Sequence, residues 1–306
     1  MYTEAELRML AALDSESTVS ELADELDRSV NYISELVERA KSKGLVHTHR
    51  SGKTKRVQRS DAKAVELFEM FVQQYSHIPF PELLGGATLR ALYYLDSPAS
   101  ATKLADLVGV HRSTVHRALS PLQDRGILYK SNGKYVVNDD FEELVTLAQE
   151  FAHLRNRSRI EEYADSYTII WESLDEFLAQ TDEEIESDAF IETGPERFQR
   201  FDLPLLARQR RYYFYSKSKD DIAASELCCH MLVTDAGARS QSYCLLLLKS
   251  EDVDRDELLL LAEQYGVKTT VDELVVYLET VGEKRADRLP TWSEFRDLAD
   301  EYGVAV

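Results

Sequence analysis

Residues 102–135, TKLADLVGVHRSTVHRALSPLQDRGILYKSNGKY, change hydrophobic period twice. Leu104, Ala105 and Leu107 mark the apolar face of a short helix, and Gly109 supplies a tight turn. Val115, Leu119 and Leu122 then recur at three- and four-residue spacing, which predicts the buried stripe of a second helix. Gly126 ends that helix, 127–130 forms a strand, and Asn132-Gly133 is a strong two-residue hairpin signal before a return strand at 134–137. A helix-turn-helix followed by a β-hairpin wing accounts for the pattern.

The same pattern occurs earlier in the chain. Thr3 and Glu6 have capping-box spacing and open a helix with Leu7, Leu10 and Leu13 on one face. Thr18 and Glu21 open a second, with Leu22, Ala23 and Leu26, and a third starts at Ser29 and turns Ile33, Leu36, Val37 and Ala40 inward before Gly44. At an offset of 82 residues, Leu22-Ala23-Asp24 falls on Leu104-Ala105-Asp106, Ile33 on Val115 and Lys43-Gly44-Leu45 on Arg125-Gly126-Ile127, without a gap. Residues 1–60 and 82–138 are therefore expected to be two tandem winged helix-turn-helix domains.

Between them, 61–76 predicts a helix carrying Val65, Phe68, Met70 and Phe71, and Pro79 and Pro81 close a connecting segment over 61–81. The second module begins with a helix at 87–95. A long helix follows within 139–165, its stripe formed by Phe141, Leu144, Val145, Ala148, Phe151 and Ala152. A symmetric partner is the expected cover for that stripe, so a homodimer is predicted. Residues 166–306 form a different object, with strands at 167–171 and 211–215 and helices at 223–233, 254–265, 270–280 and 291–302. Capping-box spacing at Thr270/Glu273 and Thr291/Glu294 supports two of those starts, while periodicity leaves 245–248 open between strand and helix. The fold class expected is mainly α with a small α/β C-terminal domain.

Charge divides the chain in the same place. Its 306 residues carry a net charge of −19, but residues 1–138 hold 18 Lys and Arg against 17 Asp and Glu, and residues 139–306 hold 18 against 38. With 13 lysines to 23 arginines and acids over the expected surfaces, the composition fits solvation in concentrated salt. The three cysteines suggest no disulfide framework, no apolar run is long enough to span a bilayer, and the start has no signal-peptide pattern. A cytoplasmic protein without membrane contact is expected.

Candidate chemistry concentrates in the two modules. Residues 41–60 contain Lys41, Lys43, Arg50, Lys53, Lys55, Arg56 and Arg59 and no acid, which suits a wing lying on phosphates of double-stranded DNA. In the first module Arg28, Asn31 and Tyr32, with the wing residues Arg50, Lys53, Lys55 and Arg56, are candidate contacts, although Glu35 and Glu38 lie beside them. The second predicted recognition helix presents Arg112, Ser113, His116 and Arg117 with no acid before Asp124. Elsewhere, Glu226, Cys228, Cys229 and His230 form a Cys/His cluster that lacks the usual ligand gap, and a buried helix explains it better than a metal site. The run RQRRYYFY at 208–215 suits a buried strand better than a base-stacking surface. With no phosphate loop and no nucleophile motif, neither an enzyme nor a cofactor is expected.

Residues 88–138, centred on HRSTVHRALSPLQDRGIL, resemble the winged helix-turn-helix regulators of archaea, in the broad multiple-antibiotic-resistance and sugar-regulator group. The resemblance implies that the third helix enters the major groove through Arg112, Ser113, Thr114, His116 and Arg117, with Lys130 and Lys134 on the flanking wing. Pro121 sits where that helix should continue, and a kink is expected there. The C-terminal half, with ETGPERFQRFDL, YYFY and LPTWSEFRDLADEYGV, is similar to regions of haloarchaeal regulators and, more distantly, to the C-terminal domains of abortive-infection antitoxins. The function expected is transcription regulation, with a protein partner or small-molecule effector acting through 166–306. The alternative is an antitoxin and autoregulator whose C-terminal domain binds a toxin.

Overall fold

The computed structural model describes residues 1–52, 54–205, 210–251 and 253–306, and the chain divides into two compact units, Met1–Arg159 and Ile160–Val306. In the first unit, α1 (Glu4–Ala12), β1 (Ser17–Thr18), α2 (Val19–Glu25), α3 (Val30–Ser42), β2 (Val46–Ser51) and β3 (Thr54–Arg59) come first. After α4 (Lys63–Gln74) and α5 (Phe80–Leu83), the order recurs as α6 (Ala87–Leu92), β4 (Ala99–Ser100), α7 (Ala101–Val108), α8 (Arg112–Gln123), β5 (Leu128–Ser131) and β6 (Lys134–Val137). Each copy closes an antiparallel three-stranded sheet, β1-β3-β2 and β4-β6-β5.

The repeat extends to individual hydrogen bonds. Arg28 N–H bonds to the Ala23 carbonyl as Val110 does to Ala105, Leu45 to Ala40 as Ile127 to Leu122, and Ser60 to Leu45 as Asn138 to Ile127, all at 2.9 to 3.0 Å. At the turn before the long helix, Asp27 takes the left-handed conformation (φ 51°) that Gly109 takes (φ 71°) in the second copy. The capping boxes at Thr3/Glu6 and Thr18/Glu21 are both formed, each hydroxyl accepting the Glu N–H and each carboxylate accepting the Thr N–H. One apolar assignment changes: Leu104, Ala105 and Val108 face the core, whereas Leu107 is 42% exposed.

Helices α4 and α9 (Glu143–Ile160) are core elements of the first unit, not connectors. Phe68 and Phe71 of α4 are buried, and the Phe151 ring of α9 lies 4.8 Å from that of Tyr2 and 6.0 Å from that of Phe68. Gly44 (φ +75°) lets α9 approach, because a Cβ there would meet Ser158 Oγ at 2.7 Å and Leu154 Cδ1 at 2.8 Å. The apolar stripe that sequence periodicity offers to a second subunit is thus covered by the chain's own N-terminal residues. Periodicity shows that a stripe must be buried; it does not identify what buries it.

Among the described residues, the second unit holds one antiparallel sheet in the order β7 (Tyr167–Glu172), β8 (Phe177–Thr181), β10 (Arg211–Tyr215), β9 (Phe190–Thr193), with a register shift between Ile169 and Trp171. Five helices follow: α10 (Ala224–Thr234), α11 (Ala238–Ser250), α12 (Arg255–Gln264), α13 (Lys268–Glu279) and α14 (Trp292–Glu301). Both sheet faces are covered, since Phe214 joins the helical core while Tyr213 and Tyr215 join a smaller cluster with Phe177 and Phe190. The segment 245–248, ambiguous by periodicity, is helical within α11. The Thr291/Glu294 box caps α14, but Thr270 caps nothing: α13 starts at Lys268, directly after Gly266 (φ 71°) closes α12, with Val267 N–H bonded to the Ala262 carbonyl at 2.8 Å. Among the described residues, no helix is long and apolar enough to cross a membrane.

Candidate nucleic-acid interface

The surface of α8 follows from its period. Val115, Leu119 and Leu122 are buried, Arg112, Ser113, Arg117 and Ser120 are exposed, and Thr114 and His116 are half-buried. Its first turn carries no acid, so the N-terminal backbone N–H groups and the arginines present one sign of potential. Pro121 lies inside the helix and provides no N–H to the preceding turn. Beside α8, Asn132 (φ 51°) and Gly133 (φ 77°) form the tight turn joining β5 and β6, which places Lys130 and Lys134 at the hairpin tip. Both lysines are exposed, and the Lys130 ammonium lies 4.7 Å from the centre of the Tyr135 ring. Neither they nor Arg112 and Arg117 form an ion pair among the described residues.

His116 is not a free reader of bases. Its Nδ1 lies 2.6 Å from the hydroxyl of fully buried Tyr135, and its Nε2 accepts a hydrogen bond from Arg112 Nε at 3.3 Å. Desolvation, with Lys130 and Arg112 nearby, holds the imidazole below its ordinary pKa. The pair of bonds fits the neutral tautomer protonated at Nδ1, which donates to Tyr135.

The first copy has the same shape and a different electrostatic balance. Arg28, Asn31 and Tyr32 are exposed, with Arg28 Nη1 donating to the Asp27 carbonyl at 3.0 Å. Lys55 is in contact with Glu38 and pulls that carboxyl below its usual pKa; Arg56 and His49 share Glu16 at 3.6 and 2.8 Å. Arg59 pairs with Glu69 and Lys43 with Glu6, each at 2.7 Å. Of the seven cations in 41–60, Lys41 and Arg50 are exposed without an ion pair among the described residues, and Lys53 lies outside them. The acid-free run at 41–60 therefore overstates its positive charge, because the compensating carboxylates come from 6, 16, 38 and 69. Superposing the copies by sequence sharpens the contrast: Val30, Asn31, Glu35 and Glu38 stand where α8 has Arg112, Ser113, Arg117 and Ser120.

In the second unit, Glu226, Cys228, Cys229 and His230 lie buried on α10. Cys228, Cys229 and Cys244 are free and buried, and burial raises the thiol pKa of Cys229. His230, fully buried, lies 2.9 Å from Thr193 Oγ1 and 2.8 Å from Tyr265 Oη; the Tyr265 hydroxyl donates to Glu226 at 2.7 Å, and Glu226 also pairs with Lys219. One tautomer satisfies the whole chain: Nε2–H donates to Tyr265, and Nδ1 accepts from Thr193. The aromatic run belongs to β10, with Tyr213, Phe214 and Tyr215 buried; Arg208 and Gln209 lie outside the described residues.

Comparison with known proteins adds two matches. Residues 83–147, which contain α8 and its hairpin, match the model of the Crp-like helix-turn-helix domain, so a helix-turn-helix domain is present there. Residues 187–304 match the family model HVO_2833_C, described as C-terminal. No curated protein matches the chain.

Proposed function

We propose that the chain is a DNA-binding transcription regulator built on tandem winged helices at 1–60 and 82–138, with the second as the main DNA-binding module. The observation that carries this reading is the set of exposed cations on α8 and the β5–β6 hairpin, Arg112, Arg117, Lys130 and Lys134, which form no ion pair among the described residues. Cations already neutralised by a carboxylate, as most are in the first copy, release fewer counterions on meeting phosphate. The first module then adds a weaker contact through Arg50, Lys41 and the Arg28, Asn31 and Tyr32 face.

The acidic second unit, with its own core and its own family model, is the place for a protein partner or small-molecule effector, and no catalytic role is assigned to it. An acidic, lysine-poor composition supports work in a salt-rich cytoplasm, where phosphate contacts weaken and base contacts and multivalency gain importance. A homodimer would add contacts, but α9 does not need one to cover its stripe.

Arg117→Ala is expected to lower affinity for duplexes selected from a randomised pool by about 5- to 100-fold, the range for one lost base contact. A mobility-shift titration with unchanged affinity would sink the second module as the sequence reader.

A further inference from the structure

The contacts of His116 do more than join α8 to the wing. Tyr135 is fully buried, and its hydroxyl fixes His116 Nδ1 at 2.6 Å. His116 Nε2 in turn engages Nε of Arg112, one helical turn earlier at the start of α8. With Nε occupied, the outer edge of the guanidinium, Nη1 and Nη2, remains available, and that edge can donate two parallel hydrogen bonds to O6 and N7 of guanine. The first residues of a recognition helix are those that reach base edges.

The groups facing His116 are Arg112 on its own helix, Lys130 on β5 and Tyr135 on β6. None is a carboxylate, and His116 forms no ion pair among the described residues. A proton added at Nε2 replaces the acceptor for Arg112 with a donor, between two existing positive charges. Arg112 is then repelled, while the surface gains one unit of positive charge toward phosphate.

We propose that His116 and Tyr135 are positioning residues that hold Arg112 to read a guanine, and that protonation of His116 releases Arg112 and lowers sequence discrimination without weakening attraction for phosphate. This rests on the DNA-binding reading above. Because the imidazole is held below its ordinary pKa, the change belongs on the acid side of neutrality.

The test uses the full chain and a duplex selected from a randomised pool at about pH 7.5, compared at about pH 5.5 with a duplex of unrelated sequence. Circular dichroism checks the fold at each pH. The wild type should lose discrimination at one G·C pair on acidification, by no more than about tenfold at about pH 5.5 for an imidazole held below its ordinary pKa, with affinity for the unrelated duplex unchanged or higher. Tyr135→Phe should lose that discrimination at neutral pH. His116→Gln, whose amide oxygen still accepts from Arg112 and does not titrate, should keep it at both pH values. If the selected consensus is retained in full by Tyr135→Phe, or His116→Gln stays as pH-sensitive as the wild type, the positioning role is overturned and DNA binding stands. A wild type that enriches no sequence and binds no duplex overturns both.

Discussion

Phe151→Ala is expected to destabilise the first unit by about 3–5 kcal/mol, the cost of removing a large ring from a closed core. Phe151 sits on α9, fully buried, with its ring against those of Tyr2 and Phe68 and with Leu147 and Ala148 of its own helix in the same cluster. The cavity would open among α1, α4 and α9, where the side chains are held by main-chain contacts such as the Tyr2 hydroxyl donating to the Lys43 carbonyl at 2.9 Å. Chemical denaturation followed by circular dichroism at several protein concentrations checks the result. A loss of that size, independent of concentration, places α9 in the core of its own chain. A midpoint that moves with protein concentration would return the helix to a subunit interface.

Acid should unfold the second unit through His230. Burial pushes the pKa of this imidazole from 6.5 down to about 3, with Lys219 adding to the effect. The folded state keeps the neutral ring, so the stability linked to His230 is fully present above pH 6.5 and is lost as pH falls toward about 3, where the folded form also binds the proton. The slope is about 1.4 kcal/mol per pH unit, and the whole window corresponds to about 5 kcal/mol. Trp171 and Trp292, the chain's two tryptophans, both lie in this unit, and the Trp171 ring is 4.3 Å from that of Tyr265. Tryptophan fluorescence during denaturation at stepped pH therefore reports on the unit around His230. His230→Gln removes the titrating group and should flatten the dependence between neutral pH and about pH 4; equal slopes for variant and wild type would assign the acid sensitivity elsewhere.

The parts of the fold that were legible in the sequence are those set by local rules. Capping boxes at Thr3, Thr18 and Thr291 mark real helix starts, and the 82-residue offset carries through to matching hydrogen bonds. The stripe Val115, Leu119 and Leu122 is buried as its period predicts. Illegible features depend on partners distant in sequence. Strands β8 and β9 gave no usable signal, because Phe177, Leu178 and Ala179 are buried in succession and hide the two-residue alternation. The net charge of residues 41–60 is not legible locally, because Glu6, Glu16, Glu38 and Glu69 reach them from other elements. At the candidate interface, residue type singles out Arg112, Arg117, Lys130 and Lys134 as candidates, and all four are exposed. The attachment of His116 to Tyr135 had no local signature, since it joins a helix to a strand 19 residues away.

If α8 and the β5–β6 hairpin carry the phosphate-binding charge, DNA affinity must respond to salt through their cations. Binding of the full chain to one selected duplex, followed by fluorescence anisotropy, gives the slope of log affinity against log salt. Lys130→Gln with Lys134→Gln is expected to reduce that slope by about 2, one for each lost phosphate contact. Lys55→Gln with Glu38→Gln removes a pair that is already neutral and should leave the slope unchanged. A slope that survives the first double substitution would take the phosphate contacts away from the hairpin, and one that falls with the second would move them to residues 1–60.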